Sequence, residues 1–210
     1  DAAHFTSASG DERREIVDVR LKGAANGFDW DIEAMNQTGR IGSQAIDAWA
    51  FGSVVGYTLA NTSWTPHLGL GVDAASGDRN PHDDRLETFN PLFPEGYFLA
   101  GYTGYVNFVH VKPALTLRPV TALNLMVALA TQWRAATADA VYAFPSFPVA
   151  GTAGRPGRYT GTYVEFRADW RLTVNYTIGL GAVHYAIASA VRQAGGHDAN
   201  YVGVELRYAW

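Results

Sequence analysis

Charged side chains occur at every second position in two stretches of this sequence. The longer stretch alternates Glu165, Arg167, Asp169 and Arg171 with the apolar residues Val164, Phe166, Ala168, Trp170 and Leu172. The shorter one, Arg20 and Lys22, has the same spacing. Residues two apart project from the same face of a strand, so both stretches predict one charged and one apolar face. The charged groups can pair with one another or contact a polar solute.

The dipeptide Asn26-Gly27 is typical of a two-residue hairpin turn and therefore predicts a register. That register pairs Ala25 with Phe28, Lys22 with Asp31, Arg20 with Glu33, Leu21 with Ile32, and Gly23 with Trp30. Opposite charges meet on one face and apolar groups on the other, so the register is self-consistent. Arg20 and Lys22 are then either salt bridges of a wall or solute contacts.

A three-residue turn after Leu172 would place Thr177, Gly179 and Gly181 opposite Arg171, Asp169 and Arg167. Glycines on the charged face leave space for long side chains. A pore lining and an internal ladder of salt bridges both fit this quartet. The alternation fails beyond Ala182, where we expect a bulge.

His110 and Lys112 lie on the same predicted face as Ala114 and Thr116, and their expected neighbours are Met126, Ala128 and Ala130. No carboxylate is near them along the chain. Lys112 is therefore predicted to contact a solute, with a salt bridge to a loop residue as the alternative. Arg134, at the outer end of its strand, is a similar candidate near the mouth of a pore. Arg207 belongs to the charged face of the last strand.

Composition narrows the class of protein. The chain has 210 residues with 48% hydrophobic content, but no apolar run of about 18 residues that a membrane-spanning helix requires. Cysteine is absent, which excludes disulfides and thiolate metal sites. The net charge of −4 gives no reason to expect a nucleic-acid partner. The chain begins without a signal peptide, as a mature exported protein or a fragment would.

Nine segments have the alternation of strands. They are Glu15–Ala25, Phe28–Gln37, Gln44–Leu59, Ser63–Asp73, Tyr105–Arg118, Leu123–Arg134, Tyr159–Leu172, Tyr176–Ala188 and Tyr201–Trp210. Many have ten or more residues, which suits a tilted strand that crosses a bilayer.

The connections alternate in length. Short turns are expected at 26–27, 60–62, 119–122 and 173–175, and longer linkers at 38–43, 74–104, 135–158 and 189–200. Outer-membrane barrels sort their loops in this way, with short periplasmic turns and long external loops. A soluble sandwich, the alternative, has no reason to do so. We therefore predict an all-β fold, an antiparallel transmembrane barrel surrounded by outer-membrane lipids.

The last strand ends on an apolar face formed by Val202, Val204, Leu206, Tyr208 and Trp210. An apolar closing strand with a terminal aromatic is expected to engage the barrel-assembly machinery. If it ends in the periplasm, counting back makes the first strand descend from an external loop at 1–14. Bacterial barrels of one chain have even strand numbers, so nine strands predict the C-terminal part of a longer barrel whose N-terminal half is missing.

The sequence resembles the alginate-export family of outer-membrane porins between about residues 28 and 134. The matching stretches are Phe28–Glu33, Ile46–Phe51, Ser76-Gly77-Asp78, Phe89–Pro94, Asn107, Lys112-Pro113 and Leu115–Pro119. The resemblance implies a monomeric barrel of about eighteen strands, of which this chain is the second half. It also implies an arginine-lined pore for an anionic polysaccharide. This chain departs from that pattern because its charges are mixed and slightly acidic.

The predicted function is an outer-membrane channel for passive passage of a polar or anionic carbohydrate or small organic solute. A general diffusion porin without solute specificity and a structural barrel with a plugged lumen are the alternatives. A barrel enzyme is not expected, because the six histidines are scattered and no serine has a histidine at a suggestive spacing. No cofactor is implied.

The predicted loop 74–104 follows Asp73 and contains Asp78, Asp83 and Asp84 among glycine and asparagine residues. Such carboxylates could hold Ca²⁺, although the spacing matches no EF-hand and external loops are often acidic. The apolar segment Phe89–Pro94 is expected to fold into the barrel or pack on its rim. If it folds inward, it would constrict the pore.

Overall fold

The computed structural model describes residues 3–92, 104–143 and 146–210, and these residues are almost entirely β. Nine long strands form one sheet in which each strand is antiparallel to its neighbours. The sheet is open, with the first and the last long strand at its two edges. The predicted all-β antiparallel class is therefore confirmed.

Within those ranges, no helix has both the length and the apolar character needed to traverse a bilayer.

The elements follow one another in chain order. They are β1 (Ala3–His4), β2 (Ser9–Gly10), β3 (Glu12–Ala25), β4 (Phe28–Ile41), β5 (Gln44–Thr58), β6 (His67–Ala75), β7 (Arg85–Leu86), β8 (Phe108–Val120), β9 (Leu123–Trp133), β10 (Tyr142–Ala143), β11 (Phe147–Pro148), β12 (Tyr159–Arg171), β13 (Tyr176–Ile187), α1 (Ser189–Arg192) and β14 (Ala199–Tyr208). The sheet runs β3-β4-β5-β6-β8-β9-β12-β13-β14, and β7 pairs with β5 in parallel.

Two of the predicted registers are confirmed in detail. The Asn26-Gly27 turn pairs Ala25 with Phe28, and the pairing continues without a shift to Glu12 opposite Ile41. Both turn residues have positive φ, 53° and 84°, as this type of turn requires. On β12 and β13, Arg171 faces Thr177, Asp169 faces Gly179 and Arg167 faces Gly181, as the three-residue turn predicts.

The prediction of a bulge beyond Ala182 is wrong. The pairing of β12 with β13 is continuous as far as Gly161 opposite Ile187. Val183 and Tyr185 therefore stay on the charged face of the sheet, where they are buried. Apolar side chains occur on this face because segments at the long-loop end cover it.

The loop lengths follow the predicted alternation with two corrections. β4 continues to Ile41, so the expected linker 38–43 is a two-residue turn, in which Gly42 has a φ of 54°. The connection between β5 and β6 covers residues 59–66 because Trp64 and Thr65, with φ of 65° and 43°, leave the extended conformation. The other long connections, 76–107, 134–158 and 188–198, lie at the same end of the sheet as the 42–43 turn.

One face of the sheet is apolar and exposed on every long strand. Leu21 on β3 is 62% exposed, and Val204 on β14 is 73% exposed. Soluble monomers rarely expose a continuous apolar surface of this extent. This outward face therefore suits contact with lipid.

Aromatic residues mark two levels on the outward face. Near the short turns, Phe28 and Tyr57 have ring centroids 4.6 Å apart, and Tyr176 and Tyr208 are 5.0 Å apart. Near the long loops lie Trp49, Trp133 and Tyr159. On β5, Tyr57 and Trp49 are separated by roughly 26 Å of strand at about 3.3 Å per residue. With the strand tilt of about 35–45° found in outer-membrane barrels, this is roughly 20 Å along the membrane normal, close to the apolar band of about 25 Å between their aromatic girdles.

The buried apolar residues lie at the long-loop end, where other segments cover the sheet. Ile41, Ile46 and Ala48 pack there with Leu86 and Phe89. A second cluster contains Val106, Ala140 and Tyr142, and Phe5 contacts both clusters. The segment before β3 is therefore held against the other loops.

Candidate functional site

The inner face of the sheet, opposite the apolar face, carries a group of charged residues on β12 and β14, the two strands that flank β13. Arg167, Asp169 and Arg171 lie on β12, and Glu205 and Arg207 lie on β14; we call these five residues the β12–β14 cluster. Arg167 donates to both carboxylate oxygens of Asp169, at 2.7 and 3.0 Å. Arg207 also donates to Asp169, and a guanidinium nitrogen of Arg167 lies 3.5 Å from Glu205. Cations and carboxylates thus alternate across the strands.

Glycine on β13 creates the space for this cluster. A Cβ atom at Gly179 would lie 3.3 Å from Asp169 Oδ1 and 3.4 Å from Glu205 Oε2. Gly179 stands between these two residues in the sheet, opposite Asp169 on one side and Glu205 on the other. The long side chains of the outer strands can therefore meet over β13, as the glycines of the sequence predicted.

The cluster borders a cavity of about 340 Å³ near the short-turn end. Its lining consists of Thr121, Ala122, Asn124, Arg167, Asp169, Arg171, Thr177 and Arg207. Arg171 is exposed and forms no ion pair with any residue that the structure describes. Arginine presents a planar fork of donors that matches a carboxylate, so the cavity has the chemistry to hold an anionic group beside polar hydroxyl and amide groups.

Arg20 and Lys22 lie on the inner face of β3, and both contact the same carboxylate of β4. Arg20 donates to the two oxygens of Asp31 at 2.7 Å each, and Lys22 Nζ lies 3.1 Å from Asp31 Oδ2. The backbone register pairs Arg20 with Glu33 as predicted, but its guanidinium reaches diagonally to Asp31. The salt-bridge interpretation describes this hairpin well, while the exposed parts of both cations still face the lumen side.

Lys112 has a carboxylate partner, so it is not the unpaired cation expected from its local neighbours; its contact with a solute stays a prediction. It donates to Glu165 of β12, which lies on the far side of β9. The inner face of β9 carries Ala128 and Ala130 between the two residues, and these small side chains leave the path open. The partner is a strand residue rather than the loop residue considered as the alternative.

His110 is buried and bonded on both sides. Its Nδ1 lies 2.9 Å from Asp73 Oδ2, and its Nε2 lies 3.0 Å from the hydroxyl of Tyr163. Asp73 stands directly opposite His110 in the register of β6 and β8. His67, also on the inner face, bonds Asp29 at 2.8 Å. Both histidines are therefore part of polar networks along the wall.

Arg134 is not an accessible cation at the mouth, which corrects a second expectation. Its side chain is 1% exposed and donates to the backbone carbonyls of Thr152, Arg155 and Gly157 at 2.7, 2.7 and 2.6 Å. Burial lowers the pKa of Arg134. The residue follows β9 directly and organises the connection 134–158 from within.

A second buried polar group, which the sequence did not indicate, centres on Asp139. Its carboxylate accepts hydrogen bonds from the backbone of Asp78 at 3.0 Å, the Thr88 hydroxyl at 2.7 Å and the Tyr142 hydroxyl at 2.8 Å. Burial and the nearby Asp139 carboxylate raise the pKa of Tyr142. These contacts join two long connections into one layer. The acidic residues around Asp78 were the nearest signal in the sequence, but they were interpreted as a possible Ca²⁺ site.

The acidic loop residues do not form a metal site in the part of the chain that the structure describes. Asp73 bonds His110, and Asp78 accepts a hydrogen bond from Ser7. Across residues 3–92, 104–143 and 146–210, no three His, Cys, Asp or Glu residues come close enough to bind one ion. Phe89 is buried among the loop residues, and Pro94 lies outside the described residues, so the pore-constriction hypothesis stays a prediction.

An open antiparallel sheet with an apolar outward face, two aromatic levels and a charged inner face defines a membrane protein of the β-barrel class. The family model described as alginate export matches residues 1–205. The chain belongs to this alginate-export family, whose members are outer-membrane export channels. The resemblance predicted between about residues 28 and 134 is therefore confirmed and extends over nearly the whole chain. No curated protein matches the chain.

Proposed function

We propose that this chain forms part of the wall of an outer-membrane channel through which a polar or anionic carbohydrate passes down its gradient. The observation that carries the proposal is the cavity of about 340 Å³ on the inner face, bordered by three arginines and one aspartate. The opposite face is apolar and suited to lipid. A wall with lipid on one side and solute on the other requires this separation.

Further strands are needed to complete such a channel. β3 and β14 are edge strands, and their unpaired backbone groups would be costly inside a bilayer. We propose that additional strands of the same barrel, the N-terminal half expected from the sequence, pair with these edges. We also propose that β14 is the strand recognised by the barrel-assembly machinery, because it is an edge strand with an alternating apolar face, Val202, Val204, Leu206 and Tyr208.

The chemistry of the cavity favours a carboxylated sugar over a neutral one. The guanidinium groups of Arg171 and Arg207 offer paired donors to a carboxylate, and Asn124 and Thr177 offer partners for hydroxyl groups. Asp169 already pairs with Arg167 and Arg207, which weakens the binding of a solute by these two arginines. Weak binding at several points allows release and suits passive transport. A polyuronate such as alginate fits this chemistry.

Single-channel recording of the full-length protein in planar bilayers tests this function. Addition of a short uronate oligomer should reduce the current in a concentration-dependent way, and Arg171→Gln with Arg207→Gln should weaken that block about tenfold. Arg13→Gln, on the outward face near the long loops, is the matched control and should leave the block unchanged. An open channel that carries ions but ignores the uronate would indicate a general diffusion porin.

A plugged barrel is the second candidate, and the loop layer at the long-loop end favours it. Phe89, Arg134 and Asp139 are buried there, and we expect such a layer to occupy part of the lumen of a closed barrel. A full-length protein that folds and inserts but gives no current would support this alternative. It would also contradict the channel proposal.

A further inference from the structure

Negative and positive charges on the inner face lie towards opposite edges of the sheet, the β3 edge and the β14 edge. Between the middle of the hairpin and its short turn, β3 and β4 carry Asp18, Asp29, Asp31 and Glu33 against Arg20 and Lys22 on the inner face. Four carboxylates against two cations give this hairpin a formal charge of −2, and we call it the acidic wall. Its two cations are both held by Asp31, whereas Glu33 lies beside Asp18, another carboxylate.

Positive charge exceeds negative charge towards the other edge of the sheet, which ends at β14. Arg167, Arg171 and Arg207 border the cavity, and Arg118 at the end of β8 donates to Asn124 Oδ1 in the same lining at 2.9 Å. Asp169 and Glu205 are the carboxylates among them. Four arginines against two carboxylates give a formal charge of +2, and we call this group the basic wall.

Apart from His67, which bonds Asp29, and the mutually paired Lys112 and Glu165, the strands between the two walls carry uncharged inner-face residues towards the short turns. Gly56 of β5 faces Gly69 of β6, which faces Ala114 of β8, which faces Ala128 of β9. The nearest strands of the two walls, β4 and β8, are three strand spacings apart, or about 14 Å along the sheet at about 4.8 Å each. This exceeds the Debye length of about 10 Å at 0.1 M salt, so the walls cannot neutralise each other.

We propose, on the basis of the channel function above, that the pore has two electrostatic lanes at its short-turn end. Anionic groups of a solute travel along the basic wall, and small cations collect along the acidic wall. The acidic wall repels the anionic chain and keeps it against β12–β14. An anionic polymer that passes through this pore would move beside its own counter-cations, and the pore need not have a net positive charge.

Ion selectivity of the full-length channel tests the two lanes. Asp18→Asn with Glu33→Gln removes two charges of the acidic wall and leaves the Arg20–Asp31 contacts in place. We expect the ratio of chloride to potassium permeability to rise about two- to fivefold at 0.1 M salt, and the change to shrink at 1 M salt where the Debye length is about 3 Å. Arg171→Gln with Arg207→Gln should lower the ratio by a similar factor.

The matched control is Asp47→Asn, which removes an exposed carboxylate from the outward face near the long loops and should not change the ratio. Heat-modifiable mobility on gels reports whether each variant is folded. The proposal is overturned if folded Asp18→Asn/Glu33→Gln protein conducts with an unaltered permeability ratio. Absence of current from the unmodified protein would instead contradict the channel function itself, so the two failures are distinguishable.

Discussion

Lys112 on β8 donates to Glu165 on β12 although 53 residues separate them and β9 lies between their strands. The side chains of the two residues are 27% and 10% exposed, so the pair is shielded from water but not fully buried. Lys112 also lies 5.8 Å from the centre of the Tyr163 ring. The contact ties three strands of the wall together on the inner face.

Removal of one partner of this pair should destabilise the folded protein. Lys112→Met leaves the Glu165 carboxylate without its cation in a poorly hydrated position, and we expect a loss of about 1–3 kcal/mol in the free energy of unfolding. Urea unfolding of the full-length protein in lipid vesicles measures this. The double variant Lys112→Met/Glu165→Gln should recover part of the loss, and equal losses in the single and double variants would contradict the pairing.

Replacement of Arg134 should loosen the connection 134–158 rather than change ion selectivity. Arg134→Met leaves several buried carbonyl oxygens without a donor, at a cost of about 1–3 kcal/mol each for those that stay dry. We expect faster cleavage of this connection by an external protease. Arg155→Met is the control, because Arg155 is only half-buried and its side chain donates only to the carbonyl of Gly151 among the described residues. Equal cleavage rates for both variants would argue against an anchoring role.

The ion pair between Arg79 and Glu87 predicts a pH-dependent contribution to the stability of the long-loop layer. The hydrogen bond from Arg79 holds the pKa of Glu87 below its usual value. A lowered pKa in the folded state means that stabilisation is present above pH 4.5, the ordinary value, and is lost as the pH falls through the lower folded value.

Glu87→Gln should therefore destabilise the folded protein slightly at pH 7, and the effect is small because Arg79 is largely exposed. The difference between the parent and the variant should vanish well below pH 4.5. Thermal unfolding of both proteins across this range measures it. Asp78 has the opposite effect, because burial raises its pKa and protonation in acid then favours the folded protein. The contribution of Glu87 is therefore measured as the difference between the parent and the Glu87→Gln variant at each pH. A difference that persists in acid would contradict the assignment.

An arginine substitution should have different effects on the outward and inner faces of β13. Leu180 is on the outward face and 41% exposed, whereas Thr177 is on the inner face beside the cavity. Leu180→Arg should make insertion into a bilayer less favourable by about 2–4 kcal/mol, the cost of arginine on the lipid face near the midplane of a barrel. Thr177→Arg should cost far less. Equilibrium folding into vesicles measures both, and similar costs for the two variants would contradict the assignment of faces.

The strands and their registers could be predicted because they depend on local features. The period of two decides which residues share a face, and the Asn26-Gly27 turn sets the pairing of Lys22 with Asp31 without reference to the rest of the chain. Where the local signal was weaker, the prediction failed by a few residues. β4 continues through polar residues to Ile41, and these residues were predicted to be part of a linker.

The sequence by itself determined the all-β class, the two faces of each strand and the positions of the charged residues on the inner face. Only the tertiary structure decided their partners, because the order of strands brings Glu165 to Lys112 and Asp73 to His110 across gaps that periodicity cannot report. It also showed that Arg134 is buried among loop carbonyls rather than open at the mouth. A period of two fixes the direction of a side chain, while its contacts depend on which distant strand lies beside it and what covers that face.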